Sequence, residues 1–314
     1  MIKIGLIGLG FMGKTHLEAY KKVENAQVVA VCTSKDNYDA LLTRKDIDII
    51  DICLPTYLHE EYIIKAVSAG KHLFCEKPLT LTMESAYRIM KAIKENGVKL
   101  FVGHVLRFWP EYKEIKSYSE RLKGFETIHA KRLGQVPTWS DWFQHPEKSG
   151  GALFDLHIHD IDFVYYLLGK VYTVYAVGHK NKFGAWDHVM TTLSFKNGSK
   201  AYVEASQRMP AGYPFTMSLR AQTAQSTLDF HISAGENIEG IEQGNNQFVF
   251  YSNQSKVTVK VDAEDAFVNQ LSYFVNCVKK NEENEVIPLD DVLYSLNLLK
   301  AIEKSLEEGR VVKI

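Results

Sequence analysis

No stretch of this 314-residue chain approaches the roughly 20 consecutive apolar residues that a membrane-spanning helix requires. Nor is there a surplus of one charge: Lys plus Arg number 37 and Asp plus Glu 38, a formal net charge of -1. Nucleic acid and anionic membrane surfaces are therefore poor partners, and a small discrete ligand is the better expectation. The first residues, Met1-Ile2-Lys3-Ile4-Gly5-Leu6-Ile7, lack the charged region, apolar core and small-residue cleavage site of a signal peptide, so the chain reads as cytoplasmic. Four cysteines (Cys32, Cys53, Cys75 and Cys277) share no CxxC spacing and read as buried thiols in a reducing compartment.

What is present is a change of texture along the chain. Over the first hundred residues, short apolar runs (2–7, 28–32, 47–52, 72–75 and 100–103) alternate with amphipathic stretches (14–22, 58–69 and 83–95). Parallel strands joined by helices have this pattern, and strands buried on both faces read as continuous apolar runs. After residue 105 one helical stretch (109–122) precedes strands without intervening helices: 125–132, 171–178, 189–195, 200–206, 216–221, 247–251 and 256–261. Asn197-Gly198 marks a hairpin between two of them. Helices are expected at 264–280 and 289–308. The fold class is α/β: a Rossmann-type parallel sheet in residues 1–104, then an α+β domain in 105–314 on a large, mostly antiparallel open sheet. Helix 289–308 is expected to pack back towards the first domain.

Gly8-Leu9-Gly10-Phe11-Met12-Gly13 fits G-x-G-x-x-G. The pattern alone is weak, but here it leaves a strand and opens a helix, so backbone N–H groups converge on a pyrophosphate. Gly8 permits the turn, Gly10 the phosphate approach and Gly13 helix-to-strand packing. Roughly twenty residues beyond such a loop, NAD-preferring folds place an acidic residue on the ribose. That position reads Thr33-Ser34-Lys35, with Asp36 only later. Hydroxyls followed by a lysine suit a 2′-phosphate, which favours NADP over NAD.

Two further clusters carry chemistry. Glu76-Lys77-Pro78 ends an apolar run, at the kind of strand end beyond which parallel sheets bind ligands. In Gly150-Gly151-Ala152-Leu153-Phe154-Asp155-Leu156-His157-Ile158-His159, Asp155 and His159 are four apart and share a helix face, a spacing suited to an acid–base pair. The two glycines are expected to leave room for a ligand. Histidine ionises near about 6.5 unperturbed, so it exchanges protons at neutrality. No metal is expected, since His157 and His159 face different ways and zinc needs three or four converging ligands.

The phosphate loop, Glu76-Lys77-Pro78 and Gly150-Gly151-x-x-x-Asp155-x-x-x-His159-x-x-Asp162, together with Leu54-Pro55-Thr56-x-x-His59 and Gly103-His104-x-x-Arg107-Phe108-x-Pro110, resemble the Gfo/Idh/MocA oxidoreductases. That resemblance implies an NAD(P)-dependent enzyme passing hydride between the nicotinamide and a hydroxyl or carbonyl carbon of a sugar, inositol or polyol. It implies Lys77 on the reacting oxygen, His159 as general base and Asp155 as its assistant. Leu54, Pro55, Thr56, His59 and Glu76 would border the nicotinamide and its ribose, and Arg107 would reach into the active-site cleft. In the family the Lys–Pro peptide is often cis.

The chain departs from the family between Cys32 and Asn37-Tyr38-Asp39-Ala40-Leu41-Leu42, where a helix and a strand are missing. The sheet should lack one strand and part of the adenine pocket. His157 stands where glycine is common, and either lines the substrate pocket or packs on the sheet. Trp139 and Trp142 either close over a sugar face or pack. A non-catalytic dinucleotide-binding regulator on the same fold is the competing function, and a purely structural subunit a third. An open sheet should not leave a broad apolar face in water, so a homodimer or homotetramer through that sheet is expected.

Overall fold

The computed structural model describes residues 1–137, 140–235 and 246–314. In chain order the first strands and helices are β1 (Ile2–Ile7), α1 (Phe11–Tyr20), β2 (Ala26–Cys32), α2 (Tyr38–Leu42), β3 (Ile49–Ile52), α3 (His59–Ser68), β4 (His72–Cys75), α4 (Met83–Asn96) and β5 (Leu100–Val102). There follow α5 (Pro110–Arg121), β6 (Thr127–Leu133), α6 (Pro146–Ser149), α7 (Gly151–Asp155) and α8 (His157–Leu168). Next come β7 (Val171–Lys180), β8 (Trp186–Phe195), β9 (Lys200–Ser206), β10 (Thr216–Gln222), β11 (Ser226–Ser233), β12 (Gln247–Ser252) and β13 (Ser255–Thr258). The last elements are α9 (Ala266–Lys280), α10 (Leu289–Glu308) and β14 (Val312–Lys313).

Two compact units result: Met1–Tyr112 with Ala263–Leu296, and Lys113–Asp262 with Asn297–Ile314. The single boundary at 104/105 read from the sequence is thus replaced by a discontinuous division. Its cause is the apolar stripe of α9. Leu271, Phe274 and Val275 bury against Ile4, Ile49, Phe74 and Phe101 and cover one face of the first sheet. Helices α3 and α4 cover the other with Ile63, Val67, Ile89 and Ile93, over Ile7, Ile50 and Ile52. Removing two such faces from water is the dominant favourable term for this layer. The first turns of α10, as far as Leu296, also belong to the first unit.

That sheet is parallel with order β2-β1-β3-β4-β5. As the short connection foretold, β2 is an edge strand, and residues 33–48 carry only α2 before the chain enters β3 on the far side of β1. Helix α4 shows how local sequence sets boundaries. The Thr82 side chain accepts a hydrogen bond from the Ser85 amide at its start, and Gly97 (φ 62) ends it in the left-handed region.

The second unit is built on a sheet of order β13-β12-β11-β10-β6-β9-β8-β7-β14. Only β6 and β9 pair in parallel among its strands. Alternation along β8 buries Val189, Thr191, Leu193 and Phe195 on the face covered by α7 and α8. The Asn197-Gly198 turn joins β8 to β9 with Gly198 at φ 95, as the hairpin signal required. Among the described residues no helix is long and apolar enough to cross a membrane.

Candidate active site and dinucleotide cradle

The phosphate loop follows β1 directly. Gly8 (φ 94) donates its amide to the Cys32 carbonyl at 2.8 Å, and a Cβ there would lie 2.5 Å from the Cys53 carbonyl oxygen. At Gly13 a Cβ would fall 1.9 Å from the Gly8 carbonyl oxygen, so both positions demand glycine for the chain's own packing. Gly10 differs: nothing lies within 4 Å of a Cβ built on it. Its bare backbone keeps a face clear at the start of α1, which no side chain caps. A pyrophosphate fits such a cradle. Phe11 is exposed and Met12 half-buried beside it.

At the end of β2 the structure supplies a carboxylate that the strand end itself lacks. The turn from Thr33 to Asp36 closes with a 3.0 Å amide-to-carbonyl bond. Asp36 Oδ2 then accepts from the Thr33 amide at 2.7 Å and from its hydroxyl at 2.8 Å. The Thr33 hydroxyl is committed to Asp36, and those two bonds, the backbone one first, hold the Asp36 carboxyl below its ordinary pKa. Ser34 and Lys35 are exposed.

Beyond β3 and β4 lie the loops carrying Leu54-Pro55-Thr56 and Glu76-Lys77-Pro78, the latter with a cis Lys77–Pro78 peptide. His59 is buried between them. Its Nδ1 stands 2.9 Å from the Pro78 carbonyl oxygen and its Nε2 2.8 Å from that of Leu54. Burial lowers its pKa against the pull of those carbonyls. Both ring nitrogens face backbone carbonyls, and a neutral ring donates to one of them, so His59 is held between the two loops instead of offering a ring nitrogen to the cofactor. Leu54 and Thr56 are buried and Pro55 is half-buried. Glu76 is nearly buried, and a Cβ at Gly103 would lie 2.7 Å from its Oε1, so the bare Gly103 gives the carboxylate room where it stands. Lys77 is half-buried, its amide donating to Glu76 Oε2 at 3.2 Å. Arg107 corrects the expectation of a residue reaching into a cleft. Its side chain is buried, pairs with Asp291 at 2.7 Å and donates to the Val286 carbonyl at 2.9 Å.

In the second unit, Gly150 (φ 72) ends α6 and Gly151 (φ 68) starts α7. A Cβ at Gly151 would meet the Trp186 carbonyl oxygen at 2.6 Å, so the space expected for a ligand holds β8 instead. The continuous helix expected through Asp155 and His159 is two helices meeting at Leu156, whose amide still donates to the Ala152 carbonyl at 3.0 Å. Of the ionisable residues there, His157, Asp160 and Asp162 are buried, whereas Asp155 and His159 stay half-exposed. Asp160 forms a buried pair with Arg132 at 2.8 Å. Burial raises its pKa, and the Arg132 charge and hydrogen bond oppose that. His157 packs against the sheet, its Nε2 2.8 Å from the Thr191 hydroxyl, and burial lowers its pKa to about 3. Asp155 accepts a 2.8 Å hydrogen bond from Gln207, a residue the sequence did not single out. Trp142 stacks on Phe143 at 4.0 Å, and Trp139 lies outside the described residues.

Comparison with known proteins agrees with this layout. A family model described as an oxidoreductase family with an NAD-binding Rossmann fold matches residues 33–104, and a GFO/IDH/MocA C-terminal domain model matches residues 121–235. The chain is 27% identical to a myo-inositol 2-dehydrogenase of Thermotoga maritima, over 100% of this chain and 98% of that protein. It is 33% identical to a 2,7-anhydro-N-acetylneuraminate hydratase of Escherichia coli, over 65% of this chain and 61% of that protein. A crystal structure of an aldose-aldose oxidoreductase from Caulobacter crescentus shares the fold with a TM-score of 0.86 at 20% identity, covering 100% of this chain and 99% of that one. The two models together span both units, and the chain is a member of the Gfo/Idh/MocA family of NAD-binding oxidoreductases.

Proposed function

We propose that this chain is an NAD-dependent dehydrogenase of a sugar or polyol, acting on a CH–OH carbon. The observation that carries the reading is the selective accessibility of Asp155 and His159 within a segment whose other ionisable side chains are buried. His159 takes or returns the hydroxyl proton, Asp155 assists it, and the Lys77 ammonium donates a hydrogen bond to the reacting oxygen. Glu76 and Thr56 border the nicotinamide and its ribose. Bound NAD supplies the hydride acceptor. We take NAD over NADP because the Asp36 carboxylate, drawn onto Thr33, accepts hydrogen bonds from ribose hydroxyls and repels a 2′-phosphate.

Incubating the purified chain with NAD+ or NADP+ and a panel of inositols, aldoses and anhydro-sugars, and following absorbance of the reduced cofactor, tests the reading. Reduction of NAD+ by at least one polyol or sugar is expected; no turnover across the panel, despite cofactor binding, would support the non-catalytic regulator. The hydratase among the relatives motivates one more assay, since adding water changes no net oxidation state. Sugar consumption without accumulating NADH would assign that outcome. The exposed Tyr172, Tyr175 and Val177 of β7 further support a homodimer or homotetramer through the second sheet, and a light-scattering mass of one chain at micromolar concentration would refute it. We place the enzyme in the cytoplasm, with the dinucleotide pool it uses.

A further inference from the structure

Beneath the phosphate loop, on the buried side of α1, sits a charged cluster that the proposed chemistry does not use. His16 has no exposed surface. Its Nδ1 lies 2.9 Å from Asp51 Oδ2 in β3 and 3.3 Å from the Cys53 sulfur just beyond. On its other side Nε2 stands 3.1 Å from Glu76 Oε1, at the end of β4, an ion-pair contact short of hydrogen-bond alignment. The ring packs edge-on against Phe74 at 5.3 Å. A neutral imidazole carries one N–H, yet both nitrogens here face carboxylate oxygens, and burying two carboxylates without a cation costs several kcal/mol. An imidazolium between Asp51 and Glu76 satisfies both sides of the ring. Burial by itself pulls the His16 pKa down, but Cys53 and Asp51 reverse this and hold it well above the ordinary histidine range. Burial also pushes the Cys53 thiol far up, so that thiol is uncharged. Two further titratable neighbours, both pushed up by burial, are Tyr20 of α1, which faces Asp51, and the Cys75 thiol at the end of β4, which lies near Asp51, Cys53 and Glu76. Ligating atoms of His16, Asp51 and Cys53 lie within 4.8 Å of one another. At 2.9 Å, however, the His16–Asp51 contact is a hydrogen bond, and it leaves no place for a cation.

Glu76 is thus fixed through both oxygens. Oε1 faces His16, Oε2 accepts the Lys77 amide, and the bare Gly103 gives the carboxylate its space. We infer that His16 is a positioning residue, which ties the phosphate-binding helix to the Glu76 carboxylate and so aims that carboxylate at the nicotinamide ribose. This rests on the reading that Glu76 borders the ribose.

The side-chain amide of glutamine reaches about where Nε2 lies, and that of asparagine about where Nδ1 lies. His16→Gln thus keeps the arm to Glu76, and His16→Asn keeps only the arm to Asp51. NADH binding by the full chain is measured by fluorescence titration for both variants, for Glu76→Gln and for the His16→Asn/Glu76→Gln double variant. Thermal melts accompany each titration. His16→Asn and Glu76→Gln should each weaken NADH binding by about tenfold, the scale of one charged contact, with His16→Gln largely rescued and the double variant no worse than either single. If Glu76→Gln weakens binding but His16→Asn does not, if His16→Gln fails to rescue, or if the two losses multiply, the positioning role is overturned and the ribose role of Glu76 stands. If Glu76→Gln has no effect, the ribose reading fails and takes this inference with it. Should the His16 variants not fold, 15N-histidine NMR of the unmodified chain decides. Two protonated ring nitrogens at pH 8, with signals that shift on adding NADH, support the role; a neutral tautomer, or signals indifferent to NADH, overturns it.

Discussion

The Gln207 side-chain amide donates to Asp155 Oδ2 at 2.8 Å, joining the residue that follows β9 to the last residue of α7. The bond fixes the plane of the Asp155 carboxylate. Gln207 is itself buried, and its own amide donates to the Asp187 carbonyl at 2.8 Å, so the support is rigid.

Replacing Gln207 by leucine should keep the packing and remove the donor. Turnover is expected to fall by about ten- to a hundredfold, the scale of a hydrogen bond to a charged group, while NADH binds as before. Gln207→Glu should do something different: two carboxylates at that spacing share a proton and raise one pKa, so the acidic limb of the rate profile moves to higher pH. A Gln207→Leu enzyme with unaltered turnover would show that Asp155 needs no such support.

Lys77→Ala should lower turnover by orders of magnitude and leave the dinucleotide bound, because the phosphate loop is untouched. His159→Asn should remove most of the rate, about 10²–10⁴-fold, together with the pH dependence around neutrality. Steady-state rates from pH 5 to 9, set beside NADH titrations, separate these effects from a general loss of binding. A His159→Asn enzyme that keeps the original pH profile would point to another base.

Much of this could be read from the sequence, for identifiable reasons. The run Ile2–Ile7 and the stretch Leu289–Glu308 carry unbroken periodic patterns, and both elements occur with those bounds. Gly8 adopts φ 94 in the turn expected of it, whereas Gly13, expected to let the helix pack on the strand, is held to glycine by the Gly8 carbonyl. Other features depend on tertiary context. The apolar stripe of α9 is visible, but nothing in it says which sheet it covers. Strand β11 has no counterpart among the expected strands, although Leu228, Phe230 and Ile232 alternate inward. Gln207 lies 52 residues from Asp155 and bears no signature of its own. His59 and Arg107 were assigned to the ligand by motif, whereas burial and backbone partners turn them into clamps. Asp36 sits beyond the usual position and reaches the end of β2 only through a turn.

That turn gives a cofactor-specificity prediction. Asp36→Ala removes the anion and releases the Thr33 hydroxyl next to Ser34 and Lys35, groups that suit a 2′-phosphate. The ratio of NADPH to NADH affinity should rise by about tenfold or more, again the scale of one charged contact. Because the Asp36 carboxyl is held below its ordinary pKa, its charge persists throughout the neutral range, and the discrimination should not depend on pH between 6 and 9. Paired titrations with the two reduced cofactors measure the ratio. An unchanged ratio would remove Asp36 from the cofactor site.

His157 makes a prediction about stability. In the unfolded chain it takes a proton near about 6.5, whereas in the folded chain burial holds its pKa at about 3. Between those values the unfolded state binds more protons, so the stability present above about 6.5 is lost as pH falls towards about 3. At pH 5 the loss from this one group is about 2 kcal/mol. His16, whose folded pKa is raised, works in the opposite sense and is common to both proteins compared. His157→Gln places a non-titrating amide near the Thr191 hydroxyl that Nε2 contacts at 2.8 Å. Urea denaturation of the two proteins at pH 8 and pH 5 should show the variant losing about 2 kcal/mol less between them. Equal losses would mean that His157 stays neutral in both states or meets water in the fold, and the buried Thr191 contact would then carry no pH linkage.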